Sequence, residues 1–375
     1  MNRENELLLE LARVSLGAPR LHRVRTALAG YGGEFDWGGF VDQAARHRVL
    51  PLVGRHITRH RLFHSDSGLP VIPYRWLYES AYEGNLQRNL TLAEEFGTVI
   101  EALGQAGIPY AIRKGPVVVE RLYGDPGLRR IGDLDVLVDR PHAPEAGEVL
   151  VELGYRQGRL SADGTGIEEF SRSTRLFWHM NVQNELPYVK IADRPHVDVF
   201  DVDICLNIFQ TLAESNVSVS ALIARRESAV LCGRSGYSLA PADQFIDLCA
   251  HLHKEAVTLH YIEQGTDLQL QKFLDIGLSC AELTERGGWP QVRAQAEEYA
   301  AGRSVYFALH HTAELYPELV PVAELAHFRP ADTGYLDSYG DFDGAGGRWE
   351  QPFKERLFDG GRGRRVAQKS SVPRT

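Results

Sequence analysis

Residues 129–138 read RRIGDLDVLV. Leu134, Val136, Leu137 and Val138 give the run the apolar character of a buried strand, yet Asp133 and Asp135 stand at its start. Residues two apart on a strand project to one face, so the two carboxylates stand side by side while Leu134 and Val136 anchor the other face. At an effective dielectric near 20, two charges some 5 Å apart repel by roughly 3 kcal/mol. Desolvation adds to that cost. A divalent cation is the efficient compensation, because Mg²⁺ favours carboxylate and phosphate oxygens and needs only one or two carboxylates from a protein. The bland alternative for an isolated Asp-x-Asp is a turn or edge strand with solvated acids.

The flanking sequence weighs against that alternative. Arg129 and Arg130 directly precede the acids, and RKGP (113–116) lies one strand–helix unit upstream. A strand that ends in Lys114-Gly115 before a helix offers backbone N–H groups and a cation to an anion. A third carboxylate on a neighbouring strand would complete a site for two metals. Asp198, between two valines in HVDVF (196–200), is the expected third acid. Asp201 and Asp203 precede ICLNIFQTL (204–212) and read instead as acids at a helix N-terminus.

Around this centre the chain divides by periodicity. Residues 1–95 read as helices, with ELLLELARVSL (6–16) and FDWGGFVDQAARHRVLPLVGRHI (35–57) each carrying an apolar stripe. Residues 96–205 form the α/β core, in which Gly107 and Gly154 stop helices. There FWHMNVQNELPYVKI (177–191) and HVDVFDVD (196–203) read as strands. Residues 206–330 read as a second helical domain. Residues 331–375, rich in glycine, acids and arginine, read as a tail that is in part poorly ordered, with WEQPFKERLF (349–358) its docking portion. The fold class is α+β: a small mixed sheet flanked by N-terminal helices and a C-terminal helical domain.

Composition bounds the function. The chain has 375 residues, 43% hydrophobic and 24% charged, with a net charge of −9. That charge argues against nonspecific nucleic-acid binding. No apolar run reaches the roughly 18 residues that span a bilayer. The acids among the leucines of the N-terminus are foreign to a secretory segment. The cysteines at 205, 232, 249 and 280 form no CxxC pair. Together these point to a reduced, cytoplasmic protein.

The stretch AIRKGPVVVERLYGDPGLRRIGDLDVLVDRPHAPEAGEVLVELGY (111–155) resembles the core of the uncharacterised nucleotidyltransferases of the DNA-polymerase-β-like superfamily. Those proteins show a Lys-Gly turn, an Arg-x-x-Gly-Asp-x-Asp strand and a helix ending in Leu-Gly-Tyr. DWGGFVDQAARHRVLPLV (36–53), FIDLCAHLHKEA (245–256) and LQKFLDIGLSCAEL (270–283) are similar to the family's outer helices, so the likeness runs over about 5–325. By position it implies a nucleotidyltransferase core with Asp133, Asp135 and Asp198 as catalytic, metal-binding acids. Lys114, Gly115, Arg130 and Lys254 become nucleotide-binding residues, and His251 and Asp275 polar substrate contacts. His196, near the third strand, is a further contact, although a strand histidine is more often a packing residue. The sequence departs from the family pattern at Phe200 and Glu255, where histidines are usual.

The resemblance implies transfer of a nucleoside monophosphate from an NTP, with ATP the expected donor and Mg²⁺ or Mn²⁺ as cofactor, to a small-molecule or protein nucleophile. The same site would serve ATP-dependent adenylation of a carboxylate leading to an amide. A non-catalytic scaffold of the same fold is the third reading.

Overall fold

The computed structural model describes residues 1–31, 35–209, 215–340 and 346–370. Five helices lead the chain: α1 (Arg3–Leu11), α2 (Ala18–Gly30), α3 (Trp37–Arg46), α4 (Leu50–Arg59) and the long α5 (Arg75–Gln105). The core follows as β1 (Tyr110–Arg113), α6 (Gly115–Val118) running into a π-helical turn, β2 (Leu134–Val138) and α7 (Ala143–Glu152). Short strands β3 (Arg156–Gln157), β4 (Arg159–Leu160) and β5 (Ile167–Glu168) precede α8 (Arg172–Asn181), β6 (Tyr188–Arg194) and β7 (Val197–Cys205). Then come α9 (Val219–Ala224), β8 (Glu227–Leu231), β9 (Arg234–Ser238), α10 (Pro241–Val257) and α11 (Leu259–Gln264). The chain closes with α12 (Leu270–Arg286), α13 (Trp289–Glu298), α14 (Gly302–Leu315), α15 (Val322–His327), the hairpin β10 (Ser338–Gly340) and β11 (Gly346–Arg348), α16 (Phe353–Phe358) and α17 (Arg362–Ser370).

Seven strands form one mixed sheet in the order β3-β6-β7-β2-β1-β9-β8, which is the expected α+β class. Its centre carries the site. Strand β1 runs antiparallel to β2 with Arg113 opposite Asp135, and β7 runs parallel to β2 with Asp135 opposite Asp203. Side chains alternate across these strands. Leu134, Val136 and Val138 of β2, with Phe200, Val202 and Ile204 of β7, pack into a core shared with Leu92, Phe96 and Ile100 of α5. Leu137 and Cys205 point the other way, into a second core that joins α10, α12 and α14 to the N-terminal helices. Asp133, Asp135, Asp201 and Asp203 therefore share the face that Leu137 and Cys205 occupy.

The helix stops behave as the sequence indicates. Gly107 and Gly154 both take left-handed backbone, φ +73° and +90°, just past α5 and α7. Helices α4 and α5 pack closely because Gly54 lacks a side chain, as a Cβ there would sit 2.4 Å from the Tyr78 carbonyl oxygen. Gly54→Ala should therefore destabilise the fold by about 1–3 kcal/mol, read as a lower urea midpoint at unchanged m-value.

Four expectations are corrected. Residues 177–181, expected as strand, are the end of helix α8, which is capped by Ser171 Oγ accepting from the Thr174 N–H. Asp201 and Asp203 lie inside β7 rather than opening a helix, because pairing with β2 carries the strand on to Cys205. Residues 227–238, expected helical, form β8 and β9, and β9 docks beside β1. The tail docks through Phe353, Leu357 and Phe358 as expected, but order extends past 358, where α17 follows and Arg362 is 1% exposed and paired with Asp267. Residues 341–345 and 371–375 lie outside the described residues.

Candidate active site

The register of β2 and β7 brings three acids together. Carboxylate oxygens of Asp133, Asp135 and Asp203 all lie within 4.8 Å of one another. Each acid answers to its surroundings. Burial raises the Asp203 carboxyl well above the usual range, and Asp133, Asp135 and Asp201 add to the effect. Burial and Asp135 likewise raise Asp133. Asp201 is pushed up to about 7 by burial and by the charges of Asp133 and Asp135, and its buried Oδ1 has no hydrogen-bond partner among the described residues. Asp135 is the exception: burial opposes its ionisation, but Lys114 and Arg113 outweigh that and hold it at about 2.

Lys114 is positioned by strain. It leaves β1 with φ +52° and ψ −128°, a region that non-glycine residues rarely enter. Its backbone N–H donates to Gln244 Oε1 at 3.3 Å, and its ammonium reaches Asp135 Oδ1 at 2.9 Å. The lysine therefore neutralises an acid of the trio, a task the sequence assigned to phosphate contact. Gly115 follows at close quarters, since a Cβ there would lie 3.3 Å from the Asp133 carbonyl oxygen.

Helix α10 closes one side. Its Asp247 holds Arg113 Nε at 2.8 Å, which leaves that arginine's charge satisfied beneath the site. One turn on, His251 Nε2 lies 3.2 Å from Glu255 Oε1, and its pKa falls to about 4 through burial and the cations Lys114 and Lys254. Lys254 is itself lowered, by burial and then by Lys114, and its ammonium stands 5.5 Å from the Tyr261 ring centre. His251 and Lys254 thus flank the Lys114 side of the trio.

Other expected residues lie elsewhere. Asp198 is exposed near the β6–β7 turn, lining a shallow surface groove with Ser161 and Asp163. It precedes Asp203 by five residues, about 17 Å of extended chain. The expected third acid is thereby corrected to Asp203, which shares Asp135's register. His196 forms the turn itself, exposed and with φ +69°. Asp275 is buried and fully engaged: it accepts from Tyr123 Oη at 2.8 Å and from Arg129 Nε and Nη2 at 2.9 and 2.8 Å. Both of its oxygens are taken up by these two partners. Arg130, one residue on, has its backbone held by Gln271 and its side chain exposed.

Two residues absent from the sequence reading border Asp133. Arg48, just past α3, is within electrostatic reach of Asp133, Arg130 and Glu255. Arg88, on α5, donates to the Ile131 carbonyl oxygen and is within electrostatic reach of Arg130, Arg48, Asp133 and also Asp198. No local motif marks either one. A second histidine–carboxylate group, His310, His311 and Glu314, lies on α14, where His311 stacks on Phe353 with ring centres 4.0 Å apart.

Comparison with known proteins agrees with this geometry. Neither a curated protein nor a solved structure matches the chain. A family model described as an uncharacterised nucleotidyltransferase matches residues 33–317, a span that holds the acid trio, Lys114, α10 and both arginines. With well over half of its length in that match, the chain belongs to this nucleotidyltransferase family.

Proposed function

We propose that the protein moves a nucleoside monophosphate from an NTP, with ATP the expected donor, to a hydroxyl or other nucleophile of a small molecule or protein. The observation that carries this reading is the convergence of Asp133, Asp135 and Asp203 on one sheet face. The donor set suits Mg²⁺ or Mn²⁺: hard carboxylate oxygens, a shortage of positive charge with, among the described residues, Lys114 alone in ion-pair contact, and an Asp201 oxygen alongside that has no partner among them. Asp133, Asp135 and Asp203 would hold the cation, which when bound neutralises them and draws charge from phosphoryl oxygens.

The chain's own residues account for the remaining chemistry. Asp203, whose proton affinity is raised, is suited to take the proton of the acceptor O–H as that oxygen bonds to the α-phosphorus. The bond from the α-phosphorus to the bridging oxygen breaks, and pyrophosphate leaves with the electron pair. Lys114 and Lys254 offset the negative charge of the phosphates.

The test is incubation with NTP labelled at the α-phosphate, metal and pooled acceptors. Label retained in a product with release of pyrophosphate supports transfer, whereas label released as free AMP with amide formation overturns it. Unchanged turnover in Asp135→Asn would also overturn it.

Cation binding should depend on pH in a defined sense. Asp201 becomes a carboxylate as pH climbs past about 7, and Asp133 and Asp203 are raised in the same direction, so protons compete with the cation at low pH and repulsion invites it as pH rises. Mn²⁺ at about 100 times its Kd should stabilise the protein by about 2.7 kcal/mol at pH 8, seen as a rise in Tm of several degrees. At pH 5.5 the rise should be under a degree. Equal shifts at both pH values would contradict this reading of the trio.

A further inference from the structure

Most buried or half-buried arginines around this core have an acid of their own. Arg113 pairs with Asp247, Arg121 with Glu282, Arg129 with Asp275 and Arg225 with Asp243. The half-buried Arg88 does not, and neither do the exposed Arg48 and Arg130: among the described residues none of the three has a carboxylate in ion-pair contact. Yet they are held near one another. Arg88 is tied to the Ile131 carbonyl oxygen. Gln271 fixes the other two from a single position on α12. Its backbone N–H donates to the His47 carbonyl oxygen at 3.3 Å, just ahead of Arg48. Its side-chain amide brackets the backbone of Arg130, accepting from the N–H and donating to the carbonyl, both at 3.3 Å.

The arrangement is costly for the protein alone. Arg48 is set in left-handed backbone with φ +58°. The proton affinity of Arg88 is lowered to about 10, first by burial and then by Arg130 and Arg48. Three guanidiniums that repel one another, two of them anchored by Gln271 and the third by the Ile131 carbonyl, with Asp133, Asp198 and Glu255 within electrostatic reach but none in ion-pair contact, form a seat for a multiply charged anion.

We propose that Arg48, Arg88 and Arg130 hold the β- and γ-phosphates of the donor nucleotide, which makes the N-terminal helices part of the active site. This rests on the nucleotidyl-transfer reading above. When the bond between the α-phosphorus and the bridging oxygen breaks, that oxygen leaves with the pyrophosphate and carries the electron pair. Guanidiniums fixed beforehand stabilise the added charge without reorganising. A seat of this kind also selects NTP over NMP, since an NMP has no phosphate to place there.

The test is calorimetric titration of the full chain with tripolyphosphate in the presence of a chelator, so that no cation contributes. The wild type should bind, Arg48→Gln and Arg88→Gln should each weaken binding at least tenfold, and Arg159→Gln, on an exposed hairpin where it pairs with Glu168, should leave it within twofold. Should Arg88→Gln fail to fold, Arg88→Lys, which keeps the charge but not the fork, should still bind several-fold more weakly than wild type. Wild-type protein that does not bind tripolyphosphate, or arginine variants that bind it as well as wild type, would overturn the seat. The transfer assay separates the two ideas. Metal-dependent transfer lost in Asp203→Asn but with an unchanged KM for NTP in Arg48→Gln removes the seat alone. Arginine-dependent tripolyphosphate binding without any transfer removes the reaction and leaves a polyphosphate site.

Discussion

Asp203→Asn should lower nucleotide transfer by at least about 10³-fold, a loss of about 4 kcal/mol in transition-state stabilisation, while Asp198→Asn should stay within about twofold of wild type. The contrast follows from register. Asp203 pairs across from Asp135 and joins the trio, whereas Asp198 is exposed near the hairpin turn of the same strand. An asparagine keeps the shape of Asp203 but supplies one neutral oxygen where a carboxylate would bind a cation and take a proton. The same change should not harm the fold. The raised proton affinity of Asp203 means that its neutral form is the one the folded state favours. A group whose folded pKa is raised contributes stability at low pH and loses it as pH rises through the folded value. Asparagine removes that loss, so the variant should be at least as stable as wild type at pH 8. Activity lost with stability kept or gained is the signature of a catalytic acid. Equal losses in Asp198→Asn and Asp203→Asn would indicate that the trio is not the reacting centre.

Asp198 also shows where sequence reading runs out. The alternation in 133–138 identifies β2 and its two acids, because strand periodicity is local. The partner acid is set by the register of a parallel strand, Asp135 against Asp203, which no local pattern encodes. The valines around Asp198 resemble a buried strand centre, and Asp201 and Asp203 resemble a helix start, until pairing with β2 carries the strand through them. Arg48 and Arg88 were illegible for a similar reason: one sits in the turn between α3 and α4 and the other on α5, and the neighbours of both are fixed only by packing. Other signals were present and local. Ser171 caps α8 through the Thr174 N–H, and Cys232-Gly233, both at positive φ, make the two-residue turn between β8 and β9. Aromatic content outweighed the first of these, and helical surroundings outweighed the second.

The second large effect is on stability. Asp275→Ala should destabilise the fold by about 3–5 kcal/mol, the range for stripping one partner from a buried ion pair. Asp275 is 2% exposed and faces Arg129 through a forked contact, with Tyr123 donating to it as well. Without it the Arg129 guanidinium is left charged and dry, because Asp275 is what keeps its proton affinity above normal against burial. A solvent-exposed pair such as Arg159 with Glu168 would cost under about 1 kcal/mol. The effect should extend to the site, since Asp275 lies one helical turn from Gln271 on α12, and these two residues hold the consecutive Arg129 and Arg130. Four residues further along that loop is Asp133. Urea unfolding measures the first effect, and NTP kinetics on the folded fraction measures the second. A substrate contact at Asp275 would instead raise KM and leave the unfolding midpoint in place, and that pattern would refute an anchoring role. Asp275→Asn provides the finer comparison: it can still accept from Tyr123 but leaves Arg129 without a counter-charge, so most of the alanine variant's loss should remain.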